Sequence, residues 1–326
     1  MRVFWYAVLL SLCPLHGALA QSCPTGLPIL QDDHIFVLTA VAVSASPWKD
    51  DNSSQIDART LNVQFRLDKN IRGDLDFKEG ATTFVALKQA RFGSGVIWDN
   101  PEFWSYYDLT AGQSWMIGTD GHANDLQTLL QHPKSVEQVS GTEAVQDVEL
   151  MIQNCNLSAA EQGDKLAEWL EQTKEPRGSH IGEYAAELLA GLASPGNTKL
   201  EQMAKDGTLE KRLTEDGQYA FLVALYQASR SSVSPQDSTV QVLTGDTIDF
   251  LFTSGHNPAS KMQRDIIQNY LPWLVSLPQA KPIMRETMND ARRKQVVTQL
   301  QLLSSGSSLS STDRETLARL SELLSK

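Results

Sequence analysis

The chain has 326 residues, of which 41% are hydrophobic and 21% are charged, and its formal net charge is −11. This composition is ordinary for a packed globular protein and argues against wholesale disorder. Lysine and arginine are scattered along the chain and form no basic patch, so we expect no nucleic-acid partner.

The first twenty residues have the features of a cleavable secretion signal. Arg2 supplies a short positive region, an apolar stretch runs from Val3 to Leu12, and Ala18-Leu19-Ala20 forms a small-x-small cleavage site. The apolar stretch is shorter than the ~20 residues of a transmembrane helix. We therefore predict a signal peptide over residues 1–20 and a secreted or periplasmic protein without a membrane span. The alternative is an N-terminal membrane anchor.

Two cysteines, Cys23 and Cys155, remain once the signal and Cys13 are removed. An even pair in an oxidising compartment predicts a disulfide. Because the closed loop is long, the chain-entropy model gives a stabilisation of about 4–5 kcal/mol as an upper value. The alternative is a pair of free thiols.

Strand patterns occupy the region from His34 to Thr119. Residues 61–67 alternate apolar and polar side chains, which is typical of a strand with one buried face. Further strands are predicted over residues 35–43, 82–87 and 114–117. Several short strands at this spacing predict a small β-barrel or sandwich over residues 21–120.

Helical spacing replaces the strand pattern after His122. Ser158 and Glu161 form a capping box, which predicts the start of one helix. Helices are also predicted near Leu126 and over residues 143–154, 181–192, 216–229, 260–277, 284–303 and 312–324. We therefore expect an α+β chain of two domains, the second being all-helical over residues 121–326.

One motif occurs twice in the helical region. Gly182-Glu183-Tyr184-Ala185 and Gly217-Gln218-Tyr219-Ala220 are 35 residues apart, and both begin apolar helices. That spacing suits helical hairpin repeats of the solenoid kind. The alternative is an irregular helical bundle.

The strand region also has a recognisable order of segments. Strands at Ile35–Val43 and Thr60–Leu67 are followed by the turn Ile71-Arg72-Gly73-Asp74 and by the segment Leu109–Ile117, which contains Ala-Gly-Gln-Ser-Trp. Residues 23–120 thereby resemble the OB-fold barrel of netrin-like modules and of tissue inhibitors of metalloproteases. The resemblance implies an OB-like fold and a binding role.

The resemblance does not extend to protease inhibition. Those inhibitors begin with a cysteine that binds the protease metal, and they carry several disulfides. Here Cys23 is the third residue of the predicted mature chain, and only Cys155 is available to pair with it. An inhibitor role is therefore not implied.

No catalytic motif is evident in the mature chain. Its histidines, which are His34, His122, His132, His180 and His256, show no helical metal-binding spacing, so no metal or other cofactor is predicted. Asp120, His122 and His132 are the only loosely grouped catalytic candidates. They would serve an exported hydrolase with a site at the domain junction.

Aromatic residues crowd the segment between the third and fourth predicted strands. They are Trp98, Phe103, Trp104, Tyr106, Tyr107 and Trp115. Rigid aromatics provide contact area at low entropy cost, so Trp98, Trp104, Tyr106 and Tyr107 are candidate ligand-binding residues. The alternative is that these rings fill the core. We expect an exported non-enzymatic binding or scaffold protein with a protein or carbohydrate partner.

Overall fold

The computed structural model describes residues 27–51, 56–92, 104, 107–121, 123–131, 133–191, 198–231, 266–276, 282, 290–305 and 309–325. The predicted signal peptide and Cys23 lie outside these ranges. So do the candidate residues Trp98, Tyr106, His122 and His132.

The described strands form one antiparallel sheet. They are β1 (His34–Ala45), β2 (Lys49–Asp51), β3 (Ile56–Arg72), β4 (Thr82–Phe92), β5 (Ser114–Thr119) and β6 (Ser135–Val139). Across the sheet the order is β4-β3-β1-β5-β6, and β2 pairs with the beginning of β3. All four predicted strands are present. The sheet continues beyond residue 120 because β6, which was not predicted, pairs with β5.

The sheet has Greek-key connectivity. Strands β1, β3 and β4 are neighbours, and β5 returns after the long connection over residues 93–113 to lie beside β1. The resulting order β5-β1-β3-β4 is the spatial order of a Greek key. Among the described residues β4 and β6 do not pair, so backbone hydrogen bonds do not close the sheet into a barrel.

A short helix, α1 (Leu126–Leu129), covers the free edge of β4. The Gln127 side chain accepts a hydrogen bond from the Ala86 backbone N–H at 3.0 Å and donates one to the Ala86 carbonyl at 3.1 Å. Leu126 and Leu129 are buried against the strands. An amide side chain thus takes the place of a neighbouring strand at this edge, which limits edge-to-edge association.

The first half of β1 is buried on both faces, as expected for a run of nearly continuous apolar residues, whereas Val41 and the residues after it are exposed or half-buried. Phe36, Leu38 and Ala40 belong to the cluster inside the curled sheet. Ile35 and Val37 belong to a second cluster that contains the buried residues of the helices. One strand therefore links the two hydrophobic cores.

The helical part follows β6. Its described α-helices are α2 (Glu143–Asn154), α3 (Ala159–Gln172), α4 (Ser179–Gly191), α5 (Lys199–Lys205) and α6 (Glu215–Ser231), followed by Leu271–Ser276, Asp290–Ser304 and Ser311–Ser325. Short turns of other helix types lie at Pro28–Gln31, Glu210–Arg212 and Ile266–Tyr270. None of the helices in the described ranges combines the length and apolarity needed to cross a bilayer.

Two helix starts match the sequence prediction closely. Helix α2 spans the predicted 143–154. Before α3, the Ser158 side chain accepts a hydrogen bond from the Glu161 backbone N–H, and the Glu161 carboxylate accepts one from the Ser158 backbone N–H. Helix α5 was not predicted, because its seven residues give too short a periodic pattern.

The repeated glycine motif marks a close contact between α4 and α6. A Cβ atom on Gly182 would overlap the Gly217 carbonyl, and one on Gly217 would overlap the Arg177 carbonyl. Each glycine is needed because a backbone carbonyl approaches it closely. Gly182 lies against α6, whereas Gly217 lies against residues 177–178, just before α4.

Candidate functional site

Of the four candidate aromatic residues, Trp104 and Tyr107 are described; Trp104 belongs to the buried cluster of the sheet, and Tyr107 packs against that cluster. Trp104 is 2% exposed, and its indole N–H donates to the Leu130 carbonyl at 2.6 Å. Tyr107 is half-buried, and burial raises the pKa of its hydroxyl. These positions support the alternative that the rings fill the core. For Trp98 and Tyr106, ligand binding stays a prediction.

The Trp104 segment is held by one buried amide. The Gln89 side chain donates to the carbonyls of Trp104 and Tyr107, each at 3.0 Å. Tyr107 lies edge-on to Trp104, with ring centroids 5.9 Å apart, and edge-on to Trp115 at 5.6 Å. Edge-to-face geometry is a favourable arrangement for aromatic rings. Trp104 and Tyr107 are thus held through both their backbone carbonyls and their rings.

The described member of the predicted disulfide, Cys155, is buried at the end of α2. In the same helix, Val148 and Met151 share a core cluster with Leu27 and Leu30. Cys23 is four residues before Leu27, a span of at most about 14 Å of extended chain. The packing of the N-terminal segment on α2 is consistent with the predicted pair.

Of the hydrolase candidates, only Asp120 is described. Its carboxylate pairs with Lys134, and the hydrogen bond to Asp120 raises the pKa of that lysine. Within the described ranges there is no group of three or more His, Cys, Asp or Glu side chains that could hold a metal ion. A catalytic role for His122 and His132 stays a prediction.

A cleft of about 650 Å³ opens where the sheet meets the N-terminus of α2. This volume lies within the range of about 300–1,000 Å³ that is typical of small-molecule sites. The walls are Val37 of β1, Asp68 and Lys69 of β3, residues 112–114 at the start of β5, residues 138–142 at the end of β6 and just after it, and Val145, Gln146 and Glu149 of α2.

The charged groups of the cleft form ion pairs and hydrogen bonds with other protein groups. Lys69 Nζ lies 3.0 Å from Glu149 Oε1 and joins β3 to α2. Their hydrogen bond raises the pKa of Lys69. Asp68 accepts hydrogen bonds from Thr39 and Arg66. The described carboxylates of the cleft are therefore engaged in ion pairs or hydrogen bonds.

Neutral polar groups supply the rest of the hydrogen-bonding capacity. Gln113 accepts a hydrogen bond from the Thr110 backbone N–H at 2.9 Å, and Gln146 accepts one from Arg177 at 3.3 Å. Both bonds use the amide oxygen, so within the described part of the chain the amide NH₂ groups can donate to a ligand. Gln138 is exposed at the cleft.

Sequence reasoning did not identify this site. Its walls come from stretches near residues 37, 68, 113 and 138–149, so no local motif exists. Glutamines, serines and valines in ordinary spacing give no signal until the fold brings them together. The closest sequence-based expectation was a site at the junction of the two parts, but with other residues.

Comparison with known proteins provides no further assignment. No family model, no curated protein and no solved structure matches this chain.

Proposed function

We propose that this chain is an exported, non-enzymatic binding protein that holds a small, uncharged, polar ligand in the cleft between the sheet and α2. The single observation that carries the proposal is the cleft itself, which has the volume of a small-molecule site. Its position at a junction of two packed layers is also common for such sites.

The wall chemistry supports an uncharged ligand. Lys69 is neutralised by Glu149, and Asp68 is held by Arg66, so no described charge of the cleft lacks an opposite charge. Amide and hydroxyl groups remain as donors and acceptors, and Val37, Val139 and Val145 provide apolar contact. A sugar-sized or dipeptide-sized molecule with several hydrogen-bonding groups fits this mixture.

We also propose an OB-like fold for the strand region. Five-stranded, partly open Greek-key barrels are the general form of that fold. The supporting observation is the order β4-β3-β1-β5-β6, with its Greek-key connection and its unpaired outer strands among the described residues. Export and the Cys23–Cys155 disulfide are proposed from the sequence, and the packing beside Cys155 is consistent with the latter.

A substitution that fills the cleft tests the binding proposal. Mature protein from Gln21 would be screened by thermal shift and by calorimetry against neutral monosaccharides and disaccharides and against dipeptides blocked at both ends. Gln138→Trp places a bulky ring at the exposed wall of the cleft, so we expect loss of binding with little change in Tm. A ligand at about a hundred times its Kd raises the unfolding free energy of the wild type by about 2.7 kcal/mol.

The matched control is Gln64→Trp. Gln64 is a half-buried glutamine of β3 outside the cleft, where it pairs with Phe84 of β4. This variant should bind as the wild type does. Binding that survives Gln138→Trp, or a screen in which no neutral compound shifts Tm, contradicts the proposal.

A further inference from the structure

A buried arginine connects the helices behind the cleft. Arg177 is 4% exposed and lies in the connection between α3 and α4. Its guanidinium donates to Asp147 of α2, with nitrogen–oxygen distances of 2.6 and 2.9 Å. It also donates to the Glu143 carbonyl at 3.2 Å. The guanidinium stacks on the Trp169 ring of α3, 4.4 Å from the centroid.

The backbone of Arg177 is fixed as well. Its N–H donates to the Arg212 carbonyl at 2.9 Å, and its carbonyl accepts from the Thr214 N–H at 2.9 Å. The Arg177 side chain therefore extends from a fixed backbone position. Its ion pair with Asp147 thereby fixes the position of α2.

A histidine connects the same helices to the sheet. His180, in the first turn of α4, has its Nε2 3.0 Å from Glu137 Oε2 of β6. The charged groups that act on it are Glu137 from the sheet, Asp147 from α2 and Glu183 from α4 itself. The cluster Glu137–His180–Asp147–Arg177 thus spans β6, α2 and α4, the three elements that meet at this junction.

We propose that this cluster makes the junction between the sheet and the helices proton-linked, so that the two layers hold together more firmly in mildly acidic solution than in alkaline solution. The geometric basis is the titratable pair His180–Glu137, which joins the sheet to the helices. It lies beside the buried Arg177–Asp147 pair. Histidine is the side chain whose charge changes most readily near neutral pH.

The direction follows from the environment of each group. Burial raises the pKa of Asp147 to about 6, and the nearby Arg177 and His180 only partly offset this effect. Burial also opposes a charge on His180, but its hydrogen bond to Glu137 and the neighbouring carboxylates outweigh burial and raise its pKa. Both groups thus hold protons more tightly when folded.

Both groups change stability in the same sense. A histidine with a raised pKa contributes stability below about pH 6.5, and that contribution is lost as the pH rises through the folded-state value. A carboxyl with a raised pKa is protonated in the folded state while the unfolded chain is already ionised. Its contribution therefore also falls as the pH rises, over the interval from about 4 to about 6.

The linkage reaches the cleft through α2. Gln146 accepts a hydrogen bond from Arg177 and also lines the cleft. When the contacts between the sheet and the helices weaken, α2 is held less firmly against the sheet. Because α2 forms one wall of the cleft, we expect the cleft to open as the pH rises. The linkage itself is independent of any ligand and can be tested without one.

The test is urea unfolding of the mature protein between about pH 4 and pH 8.5. Each group can change the unfolding constant by at most about tenfold per pH unit where it titrates. His180→Gln should reduce the wild-type slope above about pH 6.5, and Asp147→Asn should reduce the slope between about pH 4 and 6, where buried Asp32 and half-buried Glu183 also contribute. Glu171→Gln, at an exposed position of α3, should keep both slopes.

The dependence of stability on pH also shows which results contradict the proposal. If His180→Gln and Asp147→Asn lower stability by the same factor at every pH, their roles are purely structural and the proposal is overturned. If Asp147→Asn does not fold, Glu137→Gln tests the same bridge from the sheet side. It should reduce the slope above about pH 6.5, and an unchanged slope contradicts the proposal.

Discussion

The two faces of β1 lie against different kinds of core. Inside the curled sheet, Phe36 and Leu38 contact other apolar side chains. On the opposite face, Ile35 and Val37 join the hydrophobic core of the helices, and Val37 borders the cleft. The first core is held by packing and by neutral hydrogen bonds from Gln89 and Trp104, whereas the second lies beside the ion pairs for which we propose a response to pH. Function is therefore expected at the second face.

The largest expected loss of stability comes from removing the buried cation beside the second core. Arg177→Met leaves the Asp147 carboxyl buried without its cation, and removing one partner of a buried pair costs about 3–5 kcal/mol. Because protonation of Asp147 relieves this penalty, the loss should shrink as the pH falls. Urea unfolding at several pH values measures it.

The double variant Arg177→Met, Asp147→Leu sharpens the result. Replacing both partners by apolar side chains removes the uncompensated charge, so most of the lost stability should return. Leu38→Ala, inside the curled sheet, is the comparison and should cost about 2–5 kcal/mol. The loss of stability caused by Leu38→Ala should not vary with pH. If it does vary, the two cores do not differ in their response to pH.

The next effect concerns the contact between α4 and α6, which belongs to the second core. Gly182→Ala forces a methyl group against the Gly217 carbonyl, and such overpacking costs about 1–3 kcal/mol. Gly178→Ala is the matched control, because a Cβ atom there meets nothing within 4 Å. Thermal unfolding of both variants distinguishes a close helix contact from a general cost of replacing glycine. Equal losses would contradict the close contact.

Local patterns predicted much of the fold, whereas contacts between distant segments were not predictable. The alternation over 61–67 and the Ser158–Glu161 capping box each act within a few residues, and both predictions are confirmed. Strand β6 was missed because its five residues include only two apolar ones, and its pairing with β5 stabilises it. The aromatic segment was visible in sequence, but only the fold shows that Trp104 points inward.

The same limit explains why the candidate site was missed. The cleft residues are common polar types, and their meaning depends on β3 and α2 lying side by side. The Arg177–Asp147 pair is separated by 30 residues, so no helical spacing rule applies to it. Charge patterns along a chain report neighbours within a helix, whereas the charges that matter here meet across three elements.

The smallest expected effect on stability tests how the first core is protected at its edge. Gln127→Ala removes both hydrogen bonds to the Ala86 backbone, and because that edge is solvent-exposed, water replaces them at a cost of about 0.5–1.5 kcal/mol. The larger consequence is an uncovered strand edge, which favours pairing between molecules. Sedimentation and light scattering should therefore show self-association that increases with concentration. Gln131→Ala, which removes one bond of 3.2 Å to the same carbonyl and leaves Gln127 in place, should stay as monodisperse as the wild type. If Gln127→Ala is equally monodisperse, the α1 helix covers the edge by packing through Leu126 and Leu129, and the glutamine is not the protecting element.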